Sequence, residues 1–468
     1  MRILLIRPDS HLKVVKQLLT YIHLEPLDLE YVAAAVPPGH EVRILDLTLE
    51  KRPPNRLRRL LKRFRPDIVG FTAYSNQREK VVEYGLIARK LCPDAFLLLG
   101  GHHATIMPEN CDFPFLDAIV RGEGYGTFKR MLECLETGGD VFTIPNVHRP
   151  AGGGFGPIPV HPGIAHMPHP RRDLVDRSRY SCVWSSPHKS FADSIFPRMA
   201  SMRTSFGCAY DCAFCVVPHL SGRKHHRRDV EDVLAELEAI REDYVYFVDD
   251  ETFLAPEYMR ELARKIEERG IRKHFVTWAR SNTICKNPDL FQTWRQIGLE
   301  IVYVGLESPD EDTLKKLNKK ATAEQNDTAV RILEECGITV HPAFMVMPEF
   351  SAEDFDRLKR YLQSLPPVEA TFTVYSPSPG TAAWRDLAPR FICDPIHYYD
   401  CMHTILPARL PLKEFYARFA ELTRVAIRRN PLSHSKAPVN PLEVMKILWR
   451  TYWYIRIQRN LWQDYTEG

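Results

Sequence analysis

The stretch Cys208-Ala-Tyr-Asp-Cys212-Ala-Phe-Cys215 places three thiols within eight residues. Thiolates at this spacing can wrap three irons of a cubane [4Fe–4S] cluster and leave the fourth iron open to a substrate group. Zinc is the rival occupant, and it wants a fourth Cys or His close by. His219, four residues after Cys215, keeps that reading open. Further on, Phe247-Val248-Asp249-Asp250-Glu251-Thr252-Phe253 ends an apolar run in carboxylates. Asp249 and Asp250 would suit an ammonium group in a crevice, or else cap a helix. Arg280 ends the run HFVTWAR, and Glu307 with Ser308 ends IVYVGLES. A charge closing an apolar strand is costly unless it meets a partner. Nearer the N-terminus, Asp9-Ser10-His11 follows one apolar run, Gly100-Gly101-His102-His103-Ala104-Thr105 a second, and Gly122-Glu123-Gly124 lies beyond.

These residues need elements to hold them. Residues 1–140 alternate short apolar runs (ILLIRP, EVRILDL, DIVGFTAYS, AFLLLGG) with helix-like stretches such as REKVVEYGLIARKL. That rhythm predicts a parallel, doubly wound sheet, whose ligand crevice lies beyond the carboxyl ends of its strands. Residues 141–198 are rich in Gly, Pro and His and read as an ordered linker or cover without regular elements. Residues 199–384 resume the alternation, with strands predicted at MASMRTS, YVYFVDD, HFVTWARS, IVYVGLES, TVHPAFMV and ATFTVYS. Six strand–helix repeats suit a partial (β/α)6 barrel, whose sites gather at the C-terminal ends of its strands. Residues 385–468 read as a smaller helical region. Its final stretch sets Leu442, Met445, Leu448, Trp449, Tyr452, Ile455 and Trp462 near helical spacing, interleaved with Lys446, Arg450, Arg456 and Arg459. Such a helix could lie on a membrane or could cover the mouth of the barrel.

Of the 468 residues, 44% are apolar and 26% charged, as in soluble globular proteins of two or three domains. A net charge of +4 gives no reason to expect a nucleic-acid partner. The basic stretch Arg52 to Arg65 reads as a surface helix, with Leu57, Leu60, Leu61 and Phe64 on its apolar side. MRILLIRP is too short for a secretory leader, and no run is apolar enough to span a bilayer, so a cytoplasmic location is expected. An odd cysteine count of 11, mostly scattered, argues for reduced thiols. Cys92, Cys111, Cys134, Cys182, Cys285, Cys336, Cys393 and Cys401 read as small buried hydrophobes.

The CX3CX2C motif with Phe214 before its last Cys, at the head of a six-strand barrel, resembles the radical S-adenosylmethionine enzymes. The resemblance implies that the open iron binds the amino and carboxylate groups of S-adenosylmethionine. Reductive cleavage then gives a 5′-deoxyadenosyl radical, with electrons from a donor such as flavodoxin or ferredoxin. It implies that Asp249 and Asp250 lie near the methionine amino group, that Arg280 pairs with the carboxylate, and that Glu307 contacts the ribose. Tyr375-Ser-Pro-Ser-Pro-Gly-Thr381 is similar to the family's turn after the sixth strand. The N-terminal region resembles the flavodoxin-like cobalamin-binding domain of one branch of the family. Pro26-Leu-Asp-Leu-Glu-Tyr31, Gly39-His-Glu-Val42, Gly100 to Thr105 and Gly122-Glu123-Gly124 carry that likeness. By the same resemblance His11 is a lower ligand for cobalt, steadied by Asp9. Val14 stands where the pattern has Gly, which puts this ligand in doubt. Phe344-Met-Val-Met-Pro-Glu349 also departs from the branch, where a glycine turn is usual.

The pair of domains implies a cobalamin-dependent radical methylase. HLKVVKQLLTYIHLEPLDLEY and PHPRRDL resemble hopanoid C-methylases of the C-3 type, which implies a polycyclic lipid substrate. The alternatives are an oxidative cyclase of the magnesium-protoporphyrin ester type, and a non-catalytic cobalamin or iron–sulfur sensor. A methylthiotransferase would need a second cluster, and Cys92, Cys111 and Cys134 form no tight motif.

Overall fold

The computed structural model describes residues 1–165, 167–184, 194–366, 369–429 and 440–466. They form two compact units. The first holds Met1–Lys16, Glu25–Arg179 and Ile396–Asp400; the second holds Gln17–Leu24, Tyr180–Pro395 and Cys401–Gly468.

The first unit is built on β1 (Arg2–Arg7), β2 (Glu41–Asp46), β3 (Ile68–Thr72), β4 (Phe96–Gly100), β5 (Ala118–Val120) and β6 (Val147–His148), in the order β2-β1-β3-β4-β5-β6. Every neighbouring pair is parallel except β5 with β6. This is the doubly wound, flavodoxin-like order that strand–helix alternation predicts. Ile3, Leu4, Leu5 and Ile6 of β1 are all buried, because helices cover both faces of the sheet. The basic stretch forms the helix Pro53–Phe64, with Leu57, Leu61 and Phe64 turned inward. The edge strand Val147–His148 and the single turns at Arg172–Leu174 and Arg177–Arg179 give the Gly/Pro-rich stretch more order than its composition suggests. Residues 166 and 185–193 of that stretch lie outside the described residues.

The second unit is a curled sheet of β7 (Met199–Met202), β8 (Tyr244–Phe247), β9 (His274–Ala279), β10 (Leu299–Glu307), β11 (Thr339–Val346) and β12 (Thr371–Val374). The strands lie in sequence order and all run parallel. All six strands read from the sequence are present. Phe247, Phe253, Phe275, Phe291 and Trp294 fill the layer between the sheet and its outer helices, with ring centroids 4.5–5.9 Å apart where they meet. Helix starts are fixed by local chemistry. Thr322 and Gln325 exchange bonds at one start, and Ser351 and Asp354 at another. Past the barrel, the helices Leu412–Arg428 and Pro441–Asn460 complete the unit.

Candidate functional site

The three cysteines lie on the loop that follows β7. Gly207 opens this loop at φ +93, a conformation that glycine adopts without strain. A Cβ there would overlap the Lys224 carbonyl oxygen and the Ser221 side chain. The two aspartates brace the backbone leading into the loop. Asp249 is buried and accepts from Thr204 N at 2.8 Å, Ser205 N at 2.9 Å and the Thr204 hydroxyl. Asp250 accepts from Gly207 N at 2.8 Å. Both therefore act first on the shape of the cysteine loop.

Two other segments clasp the loop. Ala213 N donates to Leu317 O at 3.0 Å, Asn318 Nδ2 to Asp211 O at 2.5 Å, and Ser378 N to Phe214 O at 2.9 Å. Arg280, only 7% exposed, reaches the Cys212 sulfur at 3.3 Å and donates to Lys319 O. Its guanidinium also lies 3.9 Å from the Tyr210 ring centroid. Burial alone would lower the Arg280 pKa, yet the adjacent Cys212 sulfur holds it above its ordinary value. Burial raises the thiols of Cys208 and of Cys215, the latter to about 12, and the neighbouring cysteines add to the rise. Three thiols within electrostatic reach of one another, with a guanidinium beside one of them, are a suitable donor set for a cubane. Among the described residues no three His, Cys, Asp or Glu converge on a single ion. A mononuclear site needs such convergence, whereas each thiolate of a cubane holds its own iron.

Glu307 ends β10 at φ +61, which is strained for a residue with a side chain. Lys319 Nζ donates to its Oε1 at 2.7 Å, and both side chains are nearly buried. Gly305 leaves the room for this pair, since a Cβ there would come within 2.7 Å of Glu307 Oε1 and 2.8 Å of Lys319 Nζ. Ser308 is buried and its hydroxyl accepts from Asp310 N at 3.0 Å, fixing the turn after the strand. Glu251 is 1% exposed, and its Oε1 meets no partner. Burial raises its pKa to about 7 against the pull of Arg280. Asn282, whose Oδ1 accepts from Arg280 Nε at 3.3 Å and whose Nδ2 donates to the Tyr210 hydroxyl at 2.9 Å, was not singled out in the sequence, nor were Glu251, Lys319 and Tyr210. Glu251 sits beside two other acids, and Lys319 lies in LNKKAT, which reads as a solvated basic run.

In the first unit the motif residues meet at the carboxyl ends of β3, β4 and β5. Gly101 has φ +88, and a Cβ there would overlap the Thr72 hydroxyl and lie 3.0 Å from Ala73 N. Thr105 Oγ1 accepts from Gly122 N at 2.9 Å and donates to Gly101 O at 2.8 Å, tying Gly100–Thr105 to Gly122. Glu123 accepts from Gly126 N at 2.8 Å, and burial raises its carboxyl pKa. His103 is fully buried, bonds Ser75 Oγ through Nδ1 at 3.1 Å, and leaves Nε2 without a partner. Burial pushes its pKa down to about 3, so the ring is neutral. This glycine-edged cradle with a spare buried imidazole nitrogen suits a large, mostly neutral ligand such as cobalamin. Asp9 and His11 are not paired. Asp9 accepts from the Tyr84 hydroxyl and meets Lys16 Nζ at 3.0 Å. His11 stacks instead on His397, with ring centroids 4.2 Å apart.

Comparison with known proteins agrees with this geometry. Residues 202–362 match the Radical SAM superfamily model, and residues 20–132 match the B12 binding domain model. The chain is 29% identical to the hopanoid C-3 methylase of Methylococcus capsulatus, over 88% of this chain and 78% of that protein. It is 25% identical to the anaerobic magnesium-protoporphyrin IX monomethyl ester cyclase of Rubrivivax gelatinosus, over 83% of this chain and 70% of that one. In fold it is similar to the radical S-adenosylmethionine methyltransferase TsrM of Kitasatospora setae, solved with cobalamin and a [4Fe-4S] cluster. That likeness has a TM-score of 0.61 at 20% identity and covers 83% of this chain and 74% of TsrM. Residues 202–362 are thus a radical S-adenosylmethionine domain and residues 20–132 a cobalamin-binding domain, and the chain is an enzyme of the cobalamin-dependent radical S-adenosylmethionine methyltransferase type, with a [4Fe–4S] cluster, S-adenosylmethionine and cobalamin as its cofactors.

Proposed function

We propose that this enzyme methylates an unactivated carbon of a flat, apolar polycyclic lipid of the hopanoid kind. The observation that most supports this substrate class is an aromatic layer on the sheet face turned away from the outer helices. Tyr246, Trp278, Tyr303 and His341 come from four successive strands, β8 to β11. Trp278 and Tyr303 stack at 4.8 Å, and Tyr303 and His341 lie 4.2 Å apart. Their polar ends bond sideways, Trp278 Nε1 to the Tyr246 hydroxyl and His341 Nε2 to Thr371 Oγ1 at 2.7 Å. The rings pack on one another as a single apolar layer. All four are half-buried, and Tyr246 and Tyr303 also pack on the buried cluster of Cys182, Trp184, Ile195 and Met199, whereas Val245, Phe247, Val302 and Val340 face the helices. Burial raises both tyrosine pKa values and lowers that of His341 to about 3, leaving the layer uncharged at neutral pH. A fused apolar ring system packs well against such an aromatic layer.

When bound, the cluster and S-adenosylmethionine supply a hydrogen-abstracting radical, and cobalamin supplies the methyl group. The side chains have narrower tasks. Cys208, Cys212 and Cys215 hold the cluster, and Arg280 steadies Cys212. Glu251 would offer its unpartnered oxygen to the ammonium of S-adenosylmethionine, while Asp249 and Asp250 keep the cysteine loop in shape. Arg280 would also meet the carboxylate of S-adenosylmethionine, and Glu307, held by Lys319, would meet its ribose. In the other unit Gly100, Gly101, Thr105, Gly122, Glu123 and His103 shape the cobalamin cradle, with Asp9 and His11 at its first loop. A flavodoxin or ferredoxin delivers the electron. The test is to incubate reconstituted enzyme with a hopanoid-containing lipid extract and weigh the products. A gain of one methyl group supports the reading. Turnover of S-adenosylmethionine with ring closure in a porphyrin ester, and no methylated lipid, supports the cyclase instead.

A further inference from the structure

We infer that the outward face of the helix Pro441–Asn460 docks on the surface of an anionic lipid bilayer. Leu442, Met445, Leu448 and Tyr452 are spaced by three or four residues, Trp449 lies four after Met445 and three before Tyr452, and the five form one stripe. They are 73%, 65%, 60%, 62% and 57% exposed. Single exposed apolar residues are ordinary, but a contiguous stripe marks an interaction surface. With Val444, this helix holds six of the ten large apolar side chains exposed among the described residues.

The stripe is held outward. Thr451, Tyr454 and Gln458 are buried on the opposite side, and Ile447 packs on the cluster of Trp184, Ile195 and Met199. Glu443 accepts from Ser194 Oγ at 2.6 Å and Ile195 N at 2.9 Å, and Tyr21 donates to Thr451 Oγ1 at 3.0 Å. The charge pattern selects the partner. The helix carries Lys446, Arg450, Arg456 and Arg459 against Glu443 alone, and that acid is engaged inward. Lys446, Arg456 and Arg459 are exposed and can meet anionic headgroups. Trp449, Tyr452 and Trp453 are the ring types favoured at the depth where headgroups meet acyl chains. No described helix is long and apolar enough to cross a membrane, so this one would lie in the interfacial plane.

The purpose of such docking rests on the lipid-substrate reading, but its measurement does not. Full-length enzyme is sedimented with phosphatidylcholine vesicles, with or without phosphatidylglycerol, at low and high salt. The wild type is expected to pellet with the anionic vesicles and to be released by salt. The double variant Leu448→Glu/Trp449→Glu should bind at least roughly tenfold more weakly while keeping wild-type iron content and circular dichroism. Lys446→Glu/Arg456→Glu should abolish the preference for anionic lipid. Equal sedimentation of wild type and Leu448→Glu/Trp449→Glu would overturn the inference. So would a wild type that ignores vesicles but forms a dimer which that variant dissolves, since the stripe would then belong to a second copy. Vesicle binding without lipid methylation would fail the substrate reading alone.

Discussion

Replacing Gly207 with Ala should cost this enzyme its cluster before it costs the fold. Gly207 stands at φ +93, and its N donates to Asp250 at 2.8 Å just before Cys208. Alanine in the left-handed region costs roughly 1–2 kcal/mol. The new methyl would also press on Ser221, whose Oγ is 2.8 Å from the Cβ position, and on the Lys224 carbonyl. Relieving such overpacking typically costs a further 1–3 kcal/mol or about that. The sum, about 2–5 kcal/mol, is large against a local loop but within the roughly 5–15 kcal/mol that holds a native protein together. Gly270→Ala is the matched control, because Gly270 has φ +66 and nothing within 4 Å of its Cβ position. Only the roughly 1–2 kcal/mol backbone term applies there. The assay is iron and sulfide per chain after anaerobic reconstitution, alongside thermal unfolding. Gly207→Ala should hold clearly less iron than Gly270→Ala and melt lower. Equal iron in the two variants would refute the claim that the close packing around Gly207 shapes the cluster loop.

Other substitutions probe the same network. Lys319→Met strands the nearly buried Glu307 carboxylate and should destabilise by about 3–5 kcal/mol, with much of the loss restored by adding Glu307→Gln. Denaturant titration of the single and double variants measures this, and no recovery in the double variant would contradict the pairing. Arg280→Lys keeps the charge but loses the fork that reaches both Cys212 and Lys319 O, so iron retention should fall while overall stability changes little. Acid should weaken the first unit through His103, whose folded pKa of about 3 lies below its ordinary 6.5. The unfolded chain then takes up the proton first, so the stability is present above pH 6.5 and declines as pH falls towards 3. The slope from this one group is up to about 1.4 kcal/mol per pH unit. His103→Asn should flatten the fall in unfolding free energy between neutral and mildly acidic pH, and an unchanged slope would count against a neutral, buried His103.

The sequence displayed some of this architecture directly and hid other parts for physical reasons. RILLIR is apolar on both faces because helices cover both sides of its parallel sheet, and LEIVYVGLE because one face meets the outer helices and the other the apolar barrel interior, so composition alone marks both. The three cysteines proposed as cluster ligands share one loop, so their spacing shows in the sequence as well. The acids were harder. Asp249, Asp250 and Glu251 are adjacent and chemically alike, and their neighbours are contributed by residues 204–207, by Arg280 and by Lys319. Only the folded strands show that the aspartates brace the loop while Glu251 keeps an oxygen unpartnered. Lys319 was illegible for a related reason. It lies between Asn318 and Lys320, both at positive φ, in a turn whose tightness a run of polar residues does not advertise. The pairing of Asp9 with His11 was implied by the resemblance to cobalamin-binding domains, and here Tyr84 and Lys16 meet the carboxylate. The Gly/Pro-rich stretch as far as Arg179 and residues 396–400 belong to the first unit through contacts distant in sequence, which periodicity does not report.

The central claim is that Cys208, Cys212 and Cys215 hold a cluster that turns over S-adenosylmethionine for methyl transfer. Its most direct test is to incubate anaerobically reconstituted wild type and Cys212→Ala with reductant, cobalamin, S-adenosylmethionine and lipid extract. 5′-Deoxyadenosine and S-adenosylhomocysteine are then quantified. The account predicts both products in the wild type and the loss of 5′-deoxyadenosine in the variant. 5′-Deoxyadenosine from Cys212→Ala at the wild-type level, or a wild type with a full cluster that forms neither product, would contradict it.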